Sequence, residues 1–240
     1  MSSSAHLYFL EKFFSWEKAG VVFALGAHFG TLIAVIIHQR RKIYNVFFID
    51  LVKKKDTSFL KFLAISILPV LLLGTLLATI LKEYYKFNLL VIGFASIIGA
   101  ILLEISDRKL KKNINYKDLN IRKALFIGIF QIFALVPGMS RSGTIITAMR
   151  FLGFDRNIAI SFSLITGIPI ILSACLYGFY SLVYLDYNLV GNFFLISILS
   201  FISAYFSIKF IMHWVNSFSF RIFVVYRIIL GGVIVIYFFS

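Results

Sequence analysis

Long apolar runs, separated by short clusters of lysine and arginine, dominate the chain from residue 19 onward. Six runs are long enough to cross about 30 Å of hydrocarbon as helices. They cover roughly 19–38, 60–81, 87–105, 157–180, 189–212 and 220–239. The loop 39–59 carries Arg40, Arg41, Lys42, Lys53, Lys54 and Lys55. The loop 106–123 carries Arg108, Lys109, Lys111, Lys112, Lys117, Arg122 and Lys123. Excess positive charge in short loops marks the cytoplasmic side. Two spans separate these loops, so their parity agrees, and the connector 82–86 faces outward.

Residues 124–153 break the pattern. Ala124 to Val136 is apolar but only about two-thirds of a spanning length. Pro137 and Gly138 follow, then a second short stretch from Ser142 to Leu152, ending near Arg150, Asp155 and Arg156. This spacing predicts a re-entrant hairpin that enters from the cytoplasm, breaks and returns. A single proline-kinked spanning helix is the competing reading, but only a returning segment keeps the parity of the flanking spans. Lipid offers a broken backbone no hydrogen-bond partners, so such a break must be covered by protein or line a wet cavity.

The hairpin and three spans after residue 124 mirror a short polar-apolar stretch and three spans before residue 105. Three is odd, so the second unit enters from the opposite face, which predicts an inverted-topology repeat with a site near the midplane. The expected fold is all-α and integral to the membrane, with about six transmembrane helices plus re-entrant half-helices. It is one membrane domain over 1–240, with a first, N-terminally truncated repeat at 1–105 and a second at 124–240. Met1-Ser2-Ser3-Ser4-Ala5-His6-Leu7 then stands where Pro137-Gly138-Met139-Ser140-Arg141-Ser142-Gly143 stands in the second unit.

Composition agrees with a membrane protein. The chain has 240 residues, 60% of them hydrophobic and 14% charged, and a mean hydropathy of +0.95, a load that soluble domains do not carry. The net charge of +14 raises nucleic-acid binding as a reading. It is rejected because the basic residues sit between apolar runs, as membrane topology requires. The single cysteine, Cys175, cannot form an intrachain disulfide. Residues 1–18 carry His6, Glu11 and Glu17 and lack the apolar core of a cleavable signal peptide.

The chemistry concentrates at the break. Arg141 is a permanent cation in apolar sequence, and intramembrane ionisable groups are functional candidates by default. A guanidinium beside hydroxyls and free N–H groups suits a phosphate; bonding to broken-helix carbonyls is the structural alternative. Ser140, Ser142 and Thr144 are candidates to bind phosphate, and one of them suffices to cap the helix beginning near 141. Gly138 and Gly143 allow close approach of the backbone to a ligand. His6 is the acid/base or nucleophile candidate, because imidazole titrates near neutral pH. Ser3 and Ser4 are phosphate-binding candidates beside it. His28, inside the first span, reads as a cross-helix hydrogen-bonding residue or a catalytic one. Gln131 reads as a polar helix contact, Arg227 as a snorkelling side chain or a second phosphate contact, and Glu104 as a surface charge. Neither a transition-metal cluster nor a nucleotide-binding glycine motif is present in the sequence.

These segments resemble the undecaprenyl-diphosphate phosphatases of the bacitracin-resistance type. The resemblance runs along essentially the whole chain. It rests on Ser2-Ser3-Ser4-Ala5-His6-Leu7, Ala27-His28-Phe29-Gly30-Thr31, Pro137-Gly138-Met139-Ser140-Arg141-Ser142-Gly143 and Tyr226-Arg227-Ile228-Ile229-Leu230-Gly231. It implies a multi-pass bacterial inner-membrane enzyme with two opposed hairpins. That enzyme would act at the outer side on undecaprenyl diphosphate held in the bilayer, giving the monophosphate carrier of peptidoglycan synthesis. It also implies a divalent cation, Mg²⁺ or Ca²⁺, whose ligands in this chain are unknown; a homodimer is left open. Two departures stand out. The family's Glu/Gln-x-x-x-Glu motif, expected just before the Ser-Ser-x-x-His segment, has no residues in this chain, and Glu11 and Glu17 lie on the wrong side of His6. The family's threonine position after Ser-Arg-Ser is Ile145, with Thr144 and Thr147 as neighbours. The expectation is a start site misassigned downstream of the true one, with an inactive truncated homologue as the alternative. An isoprenoid-phosphate transporter or flippase is the rival from another functional class.

Overall fold

Apolar runs of this length have one stable answer in lipid, because only a helix satisfies every backbone N–H and C=O within its own segment. The computed structural model describes residues 20–46, 58–80, 88–109, 114–182 and 190–239. Among them, six helices are long and apolar enough to cross a membrane. They are α1 (Gly20–Tyr44), α2 (Ser58–Ile80), α3 (Leu89–Lys109), α6 (Arg156–Leu182), α7 (Val190–Ser217) and α8 (Arg221–Phe239). Two short helices, α4 (Ile121–Gln131) and α5 (Arg141–Phe151), fill the irregular segment. The chain is an all-α, multi-pass membrane protein.

Several helices outrun the apolar stretches that announced them. α1 continues through Arg40, Arg41 and Lys42, and α3 reaches Lys109. Basic side chains at a helix C-terminus complement its dipole, so the boundary falls where backbone hydrogen bonding ends and not where hydrophobicity does. Glu104 is accounted for by an i,i+4 pair with Arg108.

The segment 114–155 is a hairpin. Asn120 caps α4 by accepting the Lys123 N–H at 3.0 Å. After α4 the chain tightens into a 3₁₀ turn over Ile132–Leu135 and breaks. α5 then runs back and ends in a Schellman motif, with Gly153 at φ +88° and the Phe154 and Gly153 N–H groups bonded to the Met149 and Arg150 carbonyls. The two ends of the segment meet: the Ile114 N–H donates to the Gly153 carbonyl at 3.2 Å, and the Asp155 N–H donates to the Ile114 carbonyl at 3.4 Å. A single kinked helix would hold these ends on opposite sides of the bilayer. The two legs share one core, in which Ile127 packs with Ile145, Ala148 and Met149.

A charged knot holds the open end of the hairpin. Asp107, at the end of α3, accepts from Arg150 Nε at 2.9 Å and from Arg156 Nε at 2.8 Å. Its second oxygen accepts from Arg156 Nη2 at 2.9 Å and from the Phe220 N–H at 3.3 Å. One buried carboxylate thus joins α3, the returning leg of the hairpin, the start of α6 and the α7–α8 turn. A second polar group links Lys42 Nζ to Ser161 Oγ at 2.7 Å, and Ser161 Oγ to Gln39 Oε1 at 3.1 Å. Tyr116 donates its hydroxyl to the Ile158 carbonyl at 3.2 Å. Burial pushes its phenol up to about 12, so it remains a donor throughout the physiological range. On the other side α1 packs closely on α7, where Gly30 lies against the Ser197 carbonyl and the Phe201 amide.

Candidate functional site

The length of α5 sets the depth of the break. Eleven residues at 1.5 Å each span about 16 Å, near half of the hydrocarbon thickness. The apex of the hairpin, residues 136–140, therefore sits close to the midplane, packed against α3 and α8.

The backbone at the apex is unusual at two positions. Gly138 has φ +99°, and a Cβ there would overlap the Ile92 carbonyl of α3. Gly138→Ala is expected to lower the unfolding free energy by more than about 2 kcal/mol, since strained φ alone costs of order 1–3 kcal/mol. Thermal unfolding in detergent measures this, and a shift below a degree would show that the apex relaxes without cost. Ser140 has φ +67°, a left-handed value uncommon for any side chain but glycine. It is the N-cap of α5, its Oγ accepting the Gly143 N–H at 3.2 Å. Of the three hydroxyls considered from the sequence, Ser140 is the cap. Ser142 Oγ lies 3.3 Å from Ser140 Oγ, and Thr144 donates its hydroxyl to the Arg141 carbonyl at 2.8 Å.

Arg141 opens α5. Its Nη1 makes one long contact, 3.4 Å, to the Gly167 carbonyl of α6, and its Nε is buried without a hydrogen-bond partner. His28 lies within α1. Arg227 of α8 is 3% exposed and does not snorkel. It reaches across to the apex, where Nη2 donates to the Gly138 and Met139 carbonyls, both at 3.0 Å. Gln131, fully buried at the end of α4, makes no hydrogen bond with either amide atom, in place of the helix contact expected for it. It lies one helical turn above Ile127, as Arg141 lies one turn above Ile145, so both share the level of the apex.

Two guanidiniums and two hydroxyls thus converge on a helix N-terminus near the midplane. The acidic residues among those described, Glu104, Asp107, Asp118 and Asp155, all lie away from the apex, near the end of α3 and in the connections at the open end of the hairpin. The donor set at the apex suits an anion and not a divalent cation. His6, Ser3 and Ser4 lie outside the described residues. The sequence pointed to Arg141, Ser140 and Ser142. It undervalued Arg227, whose position in an otherwise apolar helix was the available signal.

A multi-pass helical membrane protein whose broken, re-entrant hairpin gathers two arginines and two hydroxyls at its apex is the class that this fold and site define. The profile described as bacitracin resistance protein BacA matches residues 1–233, and the chain belongs to that family. It is 37% identical over 241 residues to a protein of Marinobacter nauticus named undecaprenyl-diphosphatase, covering 98% of this chain and 91% of the relative. Proteins of the same name from Campylobacter curvus and Pelagibacter ubique are each 33% identical. They cover 96% and 98% of this chain, and 89% and 90% of their own lengths.

Proposed function

We propose that this chain hydrolyses undecaprenyl diphosphate to undecaprenyl phosphate and inorganic phosphate in the bacterial inner membrane, returning the lipid carrier to peptidoglycan synthesis. Membership of the BacA family supports the reaction. The observation that carries it for this chain is Arg141, a half-buried cation whose Nε is buried without a hydrogen-bond partner at a helix N-terminus. A cation so placed is stabilised by an anion, and phosphate fits both the guanidinium fork and the helix end.

In this reading the isoprenoid tail lies among the apolar helices and the diphosphate reaches the apex. Arg141 neutralises the oxygens of the terminal phosphoryl group, whose transfer depends chiefly on positioning and charge stabilisation. Ser140 and Ser142 hydrogen-bond the same group. A water oxygen attacks the terminal phosphorus, the bridging P–O bond breaks, and the electron pair leaves with the monophosphate. His6 takes the proton of that water, or attacks phosphorus itself and is freed by water in a second step. Ser3, Ser4 and Thr144 complete the phosphate contacts. A divalent cation, as the resemblance implies, would draw its acidic ligands from outside the described apex. An inverted repeat of 1–105 against 124–240 belongs to the same proposal. It is supported by the packing of α1 on α6 and of α3 on α8, the pairs that such a symmetry relates.

The test is phosphate release from undecaprenyl diphosphate by the purified chain in detergent. Release needs no sidedness, whereas transport needs a sealed vesicle. Phosphate release is the expected outcome. Movement of the lipid across vesicles without release would make the protein a transporter, and neither activity would mark it as inert.

A further inference from the structure

The break in the hairpin leaves carbonyls that no helix can bond, and one side chain from a distant helix collects two of them. Arg227 Nη2 lies 3.0 Å from both the Gly138 and the Met139 oxygens. The Arg227 backbone is itself tied to α3, its carbonyl accepting from Ser96 Oγ at 3.1 Å. The consequence lies on the opposite side of the peptide. Where the Met139 carbonyl points toward α8, the Ser140 N–H of the same peptide plane points away from it. Among the described residues, the N–H groups of Ser140, Arg141 and Ser142 find no acceptor, the first intrahelical bond being Thr144 N–H to the Ser140 carbonyl at 2.9 Å. Successive unpaired N–H groups at such a turn form an anion-binding concavity.

This arrangement opposes local preference. A flip of the 139–140 peptide rotates φ of Ser140 by about half a turn, from +67° to the negative values that L-residues favour. It also turns the Met139 oxygen into the pocket in place of the Ser140 N–H. We propose that Arg227 is a positioning residue that locks this peptide against the flip, so that donors and not a carbonyl face the phosphate. The proposal rests on the phosphatase reading of the same pocket.

Arg227→Met and Arg227→Lys in the full chain test it, with kcat and KM for undecaprenyl diphosphate and thermal unfolding measured together. Loss of one preorganised donor costs about 10²–10³ in kcat. Arg227→Met is therefore expected to lose about 100-fold in kcat with KM within about threefold. Arg227→Lys should recover about tenfold, since an ammonium reaches one carbonyl. A kcat within twofold of wild type in folded Arg227→Met overturns the lock. So does a loss confined to KM, which marks a substrate contact, or a folded lysine variant no better than methionine. If Arg227→Met does not fold, Gly99→Ala decides. Its Cβ overlaps Arg227 Nη2 and comes within 3.2 Å of the Met139 oxygen and sulfur, so it disturbs the guanidinium–carbonyl contact while the guanidinium stays; a fall in kcat with KM unchanged supports the lock and wild-type kcat overturns it.

If the wild-type chain releases no phosphate, the phosphatase reading fails separately. Inorganic diphosphate then serves as the probe. Protection of wild type against thermal unfolding that is reduced in Arg227→Lys supports the lock; equal protection of both, or protection of neither, overturns it.

Discussion

Arg141→Ala is expected to abolish phosphate release, lowering kcat/KM by about 10³-fold or more, the scale on which an arginine stabilises phosphoryl transfer. Stability should move the other way or not at all. The guanidinium makes only a 3.4 Å contact to the Gly167 carbonyl and leaves Nε unpartnered. Removing a half-buried, poorly compensated cation relieves desolvation and self-repulsion. An unchanged or raised Tm with lost activity is the signature of a residue kept for function. Arg141→Lys should fall between, because an ammonium keeps the charge but not the bidentate fork. Initial rates in detergent with matched unfolding curves measure this, and near-normal turnover of Arg141→Ala would remove the guanidinium from the site.

Asp107→Ala is expected to show the opposite pattern, destabilising the fold by about 3–5 kcal/mol, the cost of breaking a buried ion pair from one side. The carboxylate side chain is 3% exposed and holds Arg150, itself buried, and Arg156. Its loss leaves both guanidiniums and the Phe220 N–H without this acceptor. Four elements meet at this point, so their docking should loosen together and the hairpin should lose the anchor at its open end. Asp107→Asn should cost less, since an amide oxygen still accepts. Because the group is buried, added salt should not mimic the mutation. A loss below about 1 kcal/mol would place the knot with exposed ion pairs.

The two arginines at the break show where sequence reading reaches and where it stops. Arg141 was legible because Pro137, Gly138 and the flanking hydroxyls announce a broken helix around it. Arg227 carries no such local signal. Its partners are the Gly138 and Met139 carbonyls, almost ninety positions away, and backbone oxygens leave no trace in residue types. The Asp107 knot was hidden for the same reason. Arg150 and Arg156 read only as charges near the end of the hairpin, Asp107 drew no reading at all, and only the return of the hairpin brings the three together. Gln131 was expected to bond a neighbouring helix and instead lies unpartnered at the level of the apex, which no periodicity rule foresees.

Hydropathy and charge alone determined the six spans and the existence of a break, because lipid imposes length and helicity on any segment that crosses it. The doubling back of that break, the strained turn at Ser140 and the gathering of one buried and one half-buried cation around it were decided by tertiary structure. Those features depend on which distant helix supplies a partner to each orphaned backbone group, and that choice is made by packing between segments rather than within them.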